Sequence, residues 1–250
     1  MQRELTYSCD RLPAFASISK TLASVAGQQF LGGIWNGDRF LESLCWRVTN
    51  PRPGTRMPHL PSWSWGSVDG AVSFDAINRS GRGGIEIIPG AKVESFDVKT
   101  NKSMSRVSGS ITIKSKLCRK TPLNSSLLES APDIEKLILQ HAHLRDSLFL
   151  DHPFESIEDV YAINVLSFPR GPRPKGYGYP TFPQGRPPTT VRLILQRVRN
   201  GLNVFRRVGI GIYPGPPTGI QCKADKVPIS PLSWIGTDQE ELEGREIVIV

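Results

Sequence analysis

The densest group of metal-ligating residue types in the chain is His141, His143 and His152 with Asp146 and Asp151. Imidazole and carboxylate together are the donor set of a divalent transition-metal site. The spacing argues against one, because residues two apart on a helix do not face each other and Asp151-His152-Pro153 reads as a turn. Gly81-Arg82-Gly83-Gly84 has the composition of a phosphate cradle. It precedes the apolar run Ile85 to Ile88, whereas a nucleotide loop follows a strand and opens a helix, so a hairpin turn is expected. Asp69 and Asp75 could be imagined as paired carboxylates for acid–base work, but Asp69-Gly70 is turn chemistry. The sequence contains no G-x-S-x-G elbow and no local cysteine-nucleophile signature. No catalytic residue, metal site or cofactor is therefore expected.

The aromatic signal is sharper. Trp63 and Trp65 in Pro61-Ser62-Trp63-Ser64-Trp65-Gly66-Ser67-Val68-Asp69-Gly70 share one face if the segment is extended. Such a pair can stack a base or sugar, but each ring also buries on the order of 200 Å², which favours core anchors. Trp35, Trp46, Trp63 and Trp65 are expected to be structural anchors joining a helical part to a β part.

Charge is concentrated. The formal net charge is +8, yet Val160 to Ala224 contains no Asp or Glu and ten Lys or Arg. Arg192, Arg197, Arg199, Arg206 and Arg207 within it are candidates for an anion-binding face. Nucleic acid or anionic membrane would suit that charge, but no RNA-recognition, zinc-finger or helix-turn-helix signature accompanies it. Acidic stretches lie on both sides, Glu129 to Asp159 and Asp238 to Glu246, so internal pairing is the plainer expectation.

The elements that must position these residues fall into two kinds. Phe15, Ile18, Leu22 and Val25 recur at helical spacing, which predicts an amphipathic helix over 12–26 with Asp10 as cap and Gly27 as stop. A second short helix is predicted over 38–46. Pro51, Pro53, Pro58 and Pro61 then enforce extended or turning backbone. Beyond Trp63 the period is two: Val107, Ile111, Ile113 and Leu117 alternate with polar residues. Strands are also predicted at 71–75, 84–88, 91–98, 160–168, 191–198, 204–213 and 246–250, with a less regular helical pattern over 133–145. The stretch 168–188 holds seven prolines and four glycines and predicts a surface loop.

The expected fold is mainly β, an irregular sandwich or partly open barrel with two or three short helices, mostly at the N-terminal end. A helical segment 1–50 would precede a β-rich domain 51–250. With 250 residues, 22% charged and 38% hydrophobic, the chain can build a real core. Its apolar runs are far shorter than the roughly 18 residues of a membrane helix, and Arg3 and Glu4 stand where a signal peptide needs an apolar stretch. A cytoplasmic location is the expectation. Cys9, Cys45, Cys118 and Cys222 are too widely spaced for a compact disulfide framework or zinc knuckles, so reduced thiols are expected.

Four ordered motifs resemble the fungal heterokaryon incompatibility (HET domain) family. They are Asp10-Arg11-Leu12-Pro13-Ala14, Phe30-Leu31-Gly32-Gly33-Ile34-Trp35, Leu44-Cys45-Trp46, and Pro61 through Gly70. Leu193-Ile194-Leu195-Gln196 and Phe205-Arg206-Arg207-Val208-Gly209 resemble the family's β-rich tail. The family's upstream tryptophan-x-aspartate and cysteine-isoleucine-asparagine-glutamine motifs have no counterpart, and Arg3-Glu4-Leu5-Thr6 resembles only the last residues of that region. The resemblance implies the downstream, non-catalytic recognition or regulatory part of a protein of non-self recognition and programmed cell death, without the effector domain. A protein partner or incompatibility factor would follow. The alternative is a basic module that binds nucleic acid or anionic membrane through residues 160–224.

Overall fold

The computed structural model describes residues 10–49, 56–74, 87–119, 148–151, 160–168, 189–198, 201–214 and 241–250. The predicted loop 168–188 beyond Phe168, the predicted helix 133–145 and Gly81-Arg82-Gly83-Gly84 lie outside these residues.

The chain opens with α1 (Arg11–Ala26), which ends at Gly27 in a left-handed conformation, φ 63°, with the Gly27 N–H donating to the Ala23 carbonyl. Asp10 occupies the N-cap position, but its side chain makes no capping hydrogen bond. A short hairpin, β1 (Gln29–Leu31) and β2 (Ile34–Asn36), leads to α2 (Phe40–Ser43) and β3 (Arg47–Val48). β3 pairs with β4 (Val72–Ser73) around the Pro61–Gly70 segment.

The remaining strands form one large mixed sheet: β5 (Ile88–Pro89), β6 (Ala91–Thr100), β7 (Val107–Arg119), β8 (Leu148–Leu150), β9 (Val160–Phe168), β10 (Thr189–Arg197), β11 (Val204–Pro214) and β12 (Glu241–Ile249). Pairing runs from β9 to β10, β11, β12 and β7, and β7 returns to β9 through Leu117↔Ile163. The molecule is thus mainly β, a partly open barrel. The parallel pair β11–β12 is held by only two register pairs, Val204↔Val248 and Phe205↔Ile249. Beside β10 the register skips Val208 on β11, opposite Ile194/Leu195, and Val165 on β9, opposite Val191/Arg192, and such bulges supply the bend that a closing sheet requires.

Gly90 turns the corner between β5, paired to β9, and β6, paired to β7. Its N–H donates to the Val165 carbonyl at 2.8 Å, and a Cβ there would stand 3.0 Å from the Asn164 carbonyl oxygen. The buried Ser115 hydroxyl lies 3.1 Å from both the Gly90 and Asn164 carbonyls, tying the two strands at that corner.

Period-two alternation delivers the core. Val107, Ile111, Ile113 and Leu117 are all buried, and they join Tyr161, Ile163, Leu193, Leu195, Phe205, Ile247 and Ile249 in one cluster. The opposite face of β9–β11 carries a smaller buried cluster of Val160, Ala162, Ile194 and Val208. Leu12, Ala16, Phe30, Ile34, Phe40 and Leu44 belong to the main cluster, so the core runs across residue 50 without interruption.

Helix α1 corrects one expectation. The residues it buries are Leu12, Ala16 and Ser19, while Ile18, Leu22 and Val25 are exposed. Small side chains on the inward face let the helix sit close to the β6–β7 turn, where buried Met104 meets the Ser19 hydroxyl. The large apolar residues are left outside.

Candidate functional site: a motif junction around Arg207

Pro61 to Gly70 is not extended. It forms turns and a 3-10 helix at Trp65–Ser67, with Ser64 as its cap, accepting from the Gly66 N–H at 3.1 Å. Trp63 and Trp65 therefore do not share a face. The Trp63 ring is buried against the barrel, its Nε1–H donating to the Gly109 carbonyl at 3.4 Å. Trp65 is half-buried and donates to the Gly33 carbonyl at the turn of the β1–β2 hairpin.

Each serine in the segment has a definite role. Ser62 Oγ donates to the Val250 carbonyl and accepts from the Arg207 backbone N–H at 2.8 Å. Ser64 Oγ donates to the Gly32 carbonyl, and Ser67 Oγ to the Ser64 carbonyl at 2.7 Å. Gly32, φ 53°, is required twice over: its backbone is left-handed, and a Cβ would lie 2.4 Å from Val107 Cγ1.

Arg11 locks the far end. Its guanidinium donates to the Val68 carbonyl at 2.6 Å and to the Gly70 carbonyl, while Leu12 packs on Gly66. Partial burial lowers the Arg11 pKa, and the charge of Asp69 opposes that shift. Phe15, Phe30, Trp35 and Trp65 complete the unit as a chain of tilted and edge-on rings with centroids 4.9–6.3 Å apart.

At the centre stands Arg207, fully buried. Its Nε donates to Asp151 Oδ2 at 2.9 Å and its Nη2 to Oδ1 at 3.3 Å. Nη1 donates to the Leu44 carbonyl at 2.6 Å, Nη2 also reaches the Trp46 carbonyl, and the guanidinium stacks on the Trp46 ring. Trp46 Nε1–H in turn donates to the Trp63 carbonyl at 3.0 Å. Burial lowers the Arg207 pKa, and Asp151 offsets this by charge and hydrogen bonding. Next to it the buried Cys45 thiol donates to the Leu41 carbonyl and is pushed up to about 12 by burial.

Arg207 is accordingly removed from the anion-binding face expected of it, because desolvation demands a fixed counter-ion and Asp151 supplies one. Arg206 donates to Gln196 Oε1 from Nε and Nη2, and Arg197 lies over the Tyr161 ring at 4.7 Å. Arg192 is half-buried on β10, and Arg199 lies outside the described residues. Asp151 is the one member of the histidine–aspartate group within them; His141, His143, Asp146 and His152 lie outside. Among the described residues no group of three or more His, Cys, Asp or Glu could hold a metal ion. Asp75 also lies outside, so its pairing with Asp69 has no structural counterpart here.

Chemically, the junction is a scaffold. Its hydroxyls, indole N–H groups and guanidinium are directed at internal carbonyls and one carboxylate. The open feature beside it is a groove of about 370 Å³ lined by Arg11, Ala14, Phe15, Trp65, Val72 and Phe74. The role of Arg207 had no local signal in the sequence, because its partners lie 56 to 163 residues away. No family model, no curated protein and no solved structure matches the chain. Among the described residues no helix is long and apolar enough to cross a membrane.

Proposed function

We propose that this chain is a non-catalytic recognition or regulatory region of a fungal heterokaryon incompatibility protein, acting in the cytoplasm on a protein partner or incompatibility factor. One observation supports the reading. The four segments that resemble that family, separated by up to 59 residues, meet in a single unit: Arg11 on Val68 and Gly70, Ser64 on Gly32, Trp65 on Gly33, Trp46 on Trp63. A motif set whose members hold one another explains its order and spacing as a folding requirement. Reading residues 160–224 as an anion-binding module has less support, since Arg206 and Arg207 are engaged internally.

The test is overexpression of the 250-residue chain in a fungal cell, alone and fused behind a HET domain. Inertness alone with death on fusion is expected. Death caused by the chain alone overturns the proposal.

A further inference from the structure

The groove beside the motif junction, about 370 Å³, has walls that are fixed and mostly flat. Three of its six lining residues are aromatic, Phe15, Trp65 and Phe74, and a fourth, Arg11, ends in a planar guanidinium. Trp65 is held by its Nε1–H on the Gly33 carbonyl, and Arg11 by the Val68 and Gly70 carbonyls. Phe15 lies 5.5 Å from the Phe30 ring and stands edge-on to Trp65 at 84°. Val72 is fixed by the pairing of β4 with β3, and Ala14 is a small wall on α1. Cavities of this volume hold small molecules, whereas a stable protein interface needs roughly 1,200 Å² of buried surface.

We propose that this groove is a binding site for an uncharged, flat, electron-rich aromatic molecule of about the size of indole, held between α1 and the Pro61–Gly70 segment. A flat guest meets Phe15, Trp65 and Phe74 in the offset or edge-on arrangements that aromatic rings prefer, and offers the negative face of its own ring to Arg11. An aliphatic ring of similar bulk has no such face. Charge selects further. Asp69 acts on Arg11 and Asp10 precedes it, so no net positive charge is left to draw an anion, while the guanidinium repels a cation. Because internal hydrogen bonds already hold the walls, little ordering is left to oppose binding. The guest touches Arg11, Ala14 and Phe15 on one side and Trp65 and Val72 on the other, so its binding tightens the contact between helix and segment. Ile18, Leu22 and Val25 are exposed on the same helix but do not line the groove. The site rests on the groove alone, independently of the family reading.

The probe is fluoroindole, titrated against the full chain and followed by fluorine NMR. Saturable binding with a Kd on the order of 0.1–1 mM is expected, together with a rise in melting temperature of about 3 °C at roughly ten times that concentration. Ala14→Leu, which fills the groove from an exposed helical position, and Phe74→Ala, which removes a wall, should each weaken binding at least about fivefold. Leu22→Glu should leave it unchanged. Cyclohexanol, the anion indole-3-acetate and the cation tryptamine should each bind at least about fivefold more weakly than fluoroindole. If Phe74→Ala lowers the melting temperature, Ala14→Leu alone decides. Absence of saturable binding, or binding indifferent to Ala14→Leu, overturns the proposal. So does loss of binding in Leu22→Glu, which would move the site to the exposed helix face, or cyclohexanol bound as tightly as fluoroindole, which would leave only unspecific apolar contact.

Discussion

The guanidinium carbon of Arg207 lies 3.4 Å from the centroid of the Trp46 ring, so a barrel strand and the segment after α2 meet through one cation and one indole. Asp151, the residue after β8, neutralises that cation in a site where neither side chain reaches water. Asp151→Ala should cost about 3–5 kcal/mol, because it leaves a buried guanidinium without its counter-charge. The double variant Asp151→Ala with Arg207→Met should recover much of that loss. Urea denaturation of the single and double variants measures both. A loss under about 1 kcal/mol for Asp151→Ala would remove the ion pair from its central role.

The two tryptophans of the Pro61–Gly70 segment should separate in the same measurement. Trp63→Ala removes a fully buried ring and should cost about 3–5 kcal/mol. Trp65→Ala empties one wall of an open groove and should cost less, about 1–3 kcal/mol. Equal losses would mean that the groove is closed in solution.

Gly27 and Gly109 both have positive φ, 63° and 126°, but very different surroundings. A Cβ on Gly27 meets nothing within 4 Å, so Gly27→Ala should cost only about 1 kcal/mol of backbone strain. On Gly109 it would stand 1.8 Å from the Asp97 carbonyl oxygen. Gly109→Ala must push β6 away from β7 or fail to fold, and thermal melting of the two variants side by side distinguishes them.

Cys45 should give the fold an alkaline dependence. Burial raises its thiol from an ordinary value near 9 to about 12, an effect that Arg207 opposes and Glu42 reinforces. In the unfolded chain the thiol loses its proton above about pH 9, while the native thiol keeps it until about 12. The native state binds the extra proton between those values, so this contribution is complete below pH 9 and is lost as pH rises through the window. Against the parent, Cys45→Ala should show a stability–pH slope shallower by about 1.4 kcal/mol per pH unit over pH 9–12. An identical slope would place the thiol in contact with solvent.

Much of the barrel was legible from apolar runs, which alternate with polar residues in β7 and are buried on both faces in β9. The predicted 160–168 coincides with β9, and 204–213 lies within one residue of β11. The first half of β12 was missed: Glu241, Glu243, Gly244 and Arg245 carry no apolar alternation, and the strand is defined there by β7, which pairs with Glu241, Leu242 and Arg245 across a register shift. Helix α1 was placed to within a residue, but its buried face was misjudged, because hydropathy ranks Ile18 and Leu22 above Ala16 and Ser19. Close packing against Met104 reverses that order. Trp63 and Trp65 were read as sharing a face in an extended segment, but Pro61–Ser64 closes a turn, with the Ser64 N–H donating to the Pro61 carbonyl, and a 3-10 helix follows at Trp65–Ser67. The Arg207 junction was illegible, since no local pattern tells a basic strand residue that its counter-ion is 56 positions upstream.

The way β12 closes the barrel also sets a timetable for synthesis. β7 ends at Arg119, but its partner strand begins at Glu241. At about 5–20 residues per second a ribosome needs on the order of ten seconds to cross that interval. Throughout it β7 is without β12, and the Ser62 hydroxyl without the Val250 carbonyl it finally holds. Nascent chains of this protein should therefore engage holding chaperones from β7 onward and release them only once residue 249 has cleared the tunnel.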